Sequence, residues 1–109
     1  MESSNKVKSE EYINSVQENI EKAWESFILC KFDIGMKYFG NIMAGLDKII
    51  TYAADVNNKL KLNININCML NILQKLEKSI TIKDHVYSAD LLKYEISPIL
   101  GKWKNMPNL

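Results

Sequence analysis

Leu62-Asn63-Ile64-Asn65-Ile66-Asn67 alternates apolar and polar side chains, the period of a half-buried strand. The residues after it keep another period. Ile66, Met69, Leu70, Leu73, Leu76 and Ile80 recur at intervals of three and four, and Leu62 falls on the same stripe. An isolated strand has no partner in this chain, so its backbone groups would stay unpaired. The helical period therefore decides, and the fold class becomes all-α. The segment reads as a helix over residues 62–79.

The flanks agree. Downstream, Asp84 is placed to cap a helix over residues 85–104, with Ala89, Leu92, Ile96, Ile99, Leu100 and Trp103 as its core stripe. Pro98 lies inside it. A proline there removes one backbone bond and crowds the carbonyl of Tyr94, so a bend is expected near residues 94–97. Upstream, residues 34–57 read as a helix after an Asp33 cap, with Phe39, Ile42, Leu46, Ile49, Ile50 and Ala53 inward and Asn57-Asn58 as the stop. Gly35, Gly40 and Gly45 recur every five residues, a spacing that does not hold them on one face, so they do not read as a close-packing ridge. Residues 9–30 read as the first helix, capped by Ser9, with Tyr12, Ile13, Val16, Ile20, Ala23, Trp24 and Phe27 on one stripe. Residues 1–8 are polar and expected to be flexible, and residues 105–109 are a tail. Short first and third connections favour antiparallel neighbours. The expectation is a single-domain, antiparallel, up-down-up-down four-helix bundle over residues 9–104, its last helix bent at Pro98.

Composition excludes several functions. The chain has 109 residues and a net charge of +1, so no strong field draws it to nucleic acid or anionic lipid. All 14 basic residues are lysine, which removes bidentate capture of phosphate or carboxylate by arginine. Lys59, Lys61, Lys75, Lys78 and Lys83 make a basic region that reads as a solvated face. Residues 1–55 hold nine acids and six lysines, and residues 56–109 hold four acids and eight lysines, a mild asymmetry that suits two attracting hairpins. Cys30 and Cys68 read as free thiols of a reducing compartment. Met1 to Lys8 has no apolar run and no stretch reaches the length of a membrane span, so a cytoplasmic protein without membrane attachment is expected.

No spacing supplies a catalytic set. His85 is the only histidine, and the Glu-x-x-His spacing of helical di-iron sites is absent. His85 and Asp90, five apart, project away from each other on a helix. No catalytic residue, metal or cofactor is expected. Trp24, Phe27, Phe39 and Trp103 read as core. The fourth helix carries the strongest candidate surface. Tyr87, Leu91 and Tyr94 recur at four and three on a second face, with Asp90 and Glu95 at its margins. That face reads as a seam for a second copy or for another protein's helix. The alternative is that a helix central to a bundle is simply buried on two sides.

The run Ala89-Asp90-Leu91-Leu92-x-Tyr94-Glu95, followed by Pro98, Leu100 and Trp103, resembles the C-terminal helix of short uncharacterised helical proteins from low-GC Firmicutes. The resemblance implies a helical fold and carries no assigned activity. In plan alone the chain is also similar to flagellar export chaperones of the helical-bundle type, and to bacteriocin immunity proteins. The expected function is therefore non-enzymatic: an adaptor or chaperone-like module acting through protein–protein contact, with homodimer formation expected, or alternatively an immunity-type bundle.

Overall fold

The computed structural model describes residues 2–60 and 64–106, with side chains over residues 9–59 and 64–106. Within these residues the chain is an all-α bundle of four helical rods. The first two are α1 (Glu2–Ile28) and α2 (Phe32–Leu60), and the third is α3 (Ile66–Thr81). The fourth rod is unbroken but changes its winding: α4 (His85–Asp90), a π-helical segment (Leu91–Ile96) and α5 (Ser97–Lys104). Leu62 and Asn63 of the expected third helix and residues 107–109 of the expected tail lie outside the described residues.

Side-chain pairs fix the rod directions. Tyr12 meets Lys48, Lys22 meets Tyr38, and Phe27 lies against Gly35, so α1 and α2 run antiparallel. The fourth rod also runs against α1: Phe27 stacks on His85, Glu21 pairs with Lys93, and Gln17 donates to the Ser97 carbonyl at 3.1 Å. A tight turn reverses the chain between α3 and α4. The result is the up-down-up-down order. Its core is built from the expected stripes: Ile13, Val16, Ile20, Ala23 and Phe27 from α1; Ile42, Leu46, Ile49 and Ala53 from α2; Met69 and Leu76 from α3, joined there by Ile72, which the spacing left off the stripe; and Ala89, Leu92, Ile96, Leu100 and Trp103 from the fourth rod. Tyr12 and Leu70, placed on those stripes by spacing, are exposed.

Two turns share one construction. After α1, Cys30 N–H bonds the Phe27 carbonyl and Lys31 N–H bonds that of Ser26; after α3, Lys83 N–H bonds the Ile80 carbonyl and Asp84 N–H bonds that of Ser79. Both are the paired bonds of a Schellman ending, with Cys30 (φ 60°) and Lys83 (φ 61°) in the left-handed position usually given to glycine. Asp84 then caps α4 as the sequence indicates, its carboxylate accepting from Tyr87 N–H at 3.2 Å. Asp33 does not cap α2. That helix starts at Phe32, so Asp33 sits inside the first turn, where a carboxylate still favours the helix N-terminus.

The remaining boundaries move for local reasons. α1 begins at Glu2 rather than Ser9, because Glu2 to Lys8 holds neither glycine nor proline to stop it. α2 continues past Asn57 to Leu60, and the Asn57 side chain accepts from Ile64 N–H at 2.8 Å instead. α3 begins at Ile66 because Asn65 caps it, accepting from Cys68 N–H at 3.0 Å. Ile64 is buried ahead of that cap. The alternating stretch is thus part loop and part cap, and its helix starts later than the stripe suggests.

Gly35 and Gly45 mark close approach of α2 to α1. A β-carbon at Gly35 would overlap the Phe27 ring, and one at Gly45 would overlap Val16. This corrects the reading of the spacing as no close-packing ridge: two of the three glycines meet α1, Gly35 at the start of α2 and Gly45 near its middle. Gly40 faces open space.

Candidate functional site

The face expected on the fourth rod divides. Leu91 is 1% exposed and belongs to the core, which corrects its reading as a surface anchor. This rod packs against both α1 and α3, so Leu91 and Leu92 point inward side by side. The π segment widens the winding, with Ser97 N–H bonded to the Leu92 carbonyl five residues back. This is the form that the disturbance ahead of Pro98 takes. Tyr87, Tyr94 and Glu95 are exposed and Asp90 is half-buried. Tyr94 lies beside Lys93, whose ammonium sits 3.6 Å from the centre of the Trp24 ring and 3.5 Å from a Glu21 carboxylate oxygen. That cluster ties the π segment to α1. The Trp24 indole N–H, buried, has no hydrogen-bond partner among the described residues.

Two other surfaces are apolar and uncovered. The first is a groove of about 400 Å³ between α2 and α3. α2 meets α3 far more sparsely than it meets α1. Phe39 and Met43 on one wall and Leu70, Leu73 and Ile80 on the other therefore stay partly open, with Gln74, Glu77 and Thr81 along the rim. Each wall follows from a helical stripe broader than the core can cover.

The second is the end of the bundle where both Schellman turns sit. Phe32 and Phe27 stack on His85 from opposite sides, with ring centroids 4.3 and 5.4 Å away, and this joins the two turns. His85 is accordingly an aromatic spacer, half-buried between rings. Around it Ile28, Leu29, Phe32, Ile34, Met36, Ile82, Val86 and Tyr87 are exposed. They are eight of the eleven exposed large apolar residues among the described ones, gathered in two short segments. Ile82 is 74% exposed and Leu29 and Val86 are each 56% exposed, so these are protruding side chains rather than core edges. A signal for this end was present in the sequence. Turns are ordinarily polar, yet Ile28-Leu29-Cys30-Lys31-Phe32 and Ile80-Thr81-Ile82 carry apolar residues through both reversals.

Cys30 and Cys68 are free thiols, both exposed, at opposite ends of the bundle. Among the described residues no three His, Cys, Asp or Glu side chains gather into a possible metal site, and no helix is long and apolar enough to cross a membrane.

Residues 7–106 match the family model for a domain of unknown function, DUF8042. The chain belongs to the DUF8042 family. The match spans all four rods, so the bundle as a whole is the family's unit. No curated protein and no solved structure matches the chain.

Proposed function

We propose that this DUF8042 chain is a non-enzymatic, cytoplasmic binding module that works through protein–protein contact. The α2–α3 groove is its docking site, and the occupant is an apolar helical segment of another protein. The observation that carries this reading is the groove itself. Five large apolar side chains line a cleft that the fold leaves open, Leu70 exposed and Phe39, Met43, Leu73 and Ile80 half-buried beside it. Apolar side chains left uncovered in this way mark interaction sites. A cleft between two helices suits a third helix, whose side chains at i, i+3 or i+4, and i+7 fill it. Free, exposed thiols are in keeping with a reducing compartment.

Leu70 provides the test, because it lines the groove and is 42% exposed. Leu70→Asp keeps the fold and abolishes capture of the partner from a lysate of the source organism. Glu18→Gln, on the exposed outer side of α1, leaves capture unchanged. A partner retained equally by Leu70→Asp and native protein contradicts the groove assignment. The partner is then purified and its affinity measured against both forms.

A further inference from the structure

We infer that the occupant of the α2–α3 groove is a basic amphipathic helix, and that its backbone crosses α2 at Gly40. The inference rests on the groove reading above and adds the partner's chemistry and its point of closest approach. Among the described residues that line the groove, Glu77 is the only charged one. Asp47 stands one turn on from Met43, exposed, at the α2 edge of the same cleft. Neither carboxylate forms an ion pair among the described residues. The neighbouring lysines stand elsewhere. By helical spacing, Lys37 and Lys48 on α2, and Lys75 and Lys78 on α3, fall on the sides of their helices away from the apolar walls. Lys48 is held over the Tyr12 ring of α1. An apolar cleft with an acid at each edge attracts an apolar helix flanked by lysine or arginine, and repels one flanked by acids.

Gly40 fixes where that helix comes closest. The chain has four glycines, and three of them stand in α2, where glycine costs stability relative to alanine. Contact with α1 accounts for Gly35 and Gly45, but a β-carbon at Gly40 would meet nothing within 4 Å. No contact within the chain requires a glycine there. Gly40 is exposed and lies three residues before Met43, on the groove's α2 edge. That edge is low, whereas the α3 edge carries Gln74, Glu77 and Thr81. A missing side chain lets a second backbone approach closely. The occupant therefore places a small residue over Gly40, with its basic residues on the flanks.

Two synthetic helical peptides test this by fluorescence anisotropy. Both carry leucines at i, i+3 or i+4, and i+7 with alanine between them, and they differ only in flanking lysines or flanking glutamates. They are titrated into native protein, Gly40→Gln, the combined Asp47→Asn and Glu77→Gln variant, and Leu70→Asp. Circular dichroism confirms each fold and gives its thermal midpoint. The expected result is that native protein binds the lysine peptide at least about tenfold more tightly than the glutamate peptide, and that the combined variant loses this preference. Gly40→Gln is expected to weaken lysine-peptide binding at least about tenfold while its thermal midpoint rises, a pairing that a purely structural glycine would not give. Equal binding of both peptides, binding of neither, or native-like binding by Gly40→Gln overturns the inference. So does native protein that self-associates through the groove, seen as a dimer in sedimentation that Leu70→Asp abolishes. Failure of the groove reading is separate: Leu70→Asp would then bind the lysine peptide as native protein does.

Discussion

Cys30 and Lys83 hold the left-handed position at the ends of α1 and α3, and neither residue type is suited to it. A side chain there strains against its own backbone by roughly 1 kcal/mol, which glycine avoids. Cys30→Gly and Lys83→Gly are each expected to raise stability by about that amount, seen as a rise of roughly 4 °C in thermal midpoint. The three glycines of α2 separate in the same measurement. Gly40→Ala adds a methyl group into open space and is expected to stabilise by up to about 1 kcal/mol through helix propensity. Gly35→Ala and Gly45→Ala push against Phe27 and Val16 and are expected to destabilise by about 1–3 kcal/mol. Of these features the Asp84 cap was legible in the sequence, because aspartate before an apolar stripe has one common use. The strained turns were not, because nothing in a cysteine or a lysine announces a left-handed backbone.

At the scale of the element, the fourth rod shows where periodicity misleads. Spacing put Tyr87, Leu91 and Tyr94 on one exposed face, but the rod is clasped by both α1 and α3 and changes winding at Leu91. Leu91 is core as a result. Leu91→Asp is expected to destabilise the bundle by at least about 4 kcal/mol, because it buries an unpaired carboxylate, and chemical denaturation reads that loss directly. A fully folded Leu91→Asp protein of native stability would contradict the packing described for this rod. The alternating stretch shows the opposite balance. Its helical reading holds from Ile66 onward, where Met69 and Leu76, seven apart, share one buried face that a strand would have split. Its start was illegible because Asn65 competes for backbone N–H groups and resets the boundary. Pro98 signalled a disturbance correctly. The sequence did not distinguish an ordinary kink from the π segment that precedes it.

At the scale of the whole molecule, the fold class and rod order were legible because every rod keeps one uninterrupted stripe and two of the three connections are short. The uncovered surfaces were not, since they depend on how far α2 stands from α3 and on both turns meeting at His85. The most direct test of contact through the groove is site-specific photocrosslinking in cells of the source organism. A photoreactive residue replaces Leu70 in one strain and Glu18 in another, and the adduct masses are read after irradiation. A discrete heavier adduct with another protein from position 70, missing from position 18, is the result that groove docking predicts. Equal, diffuse labelling from both positions would contradict it.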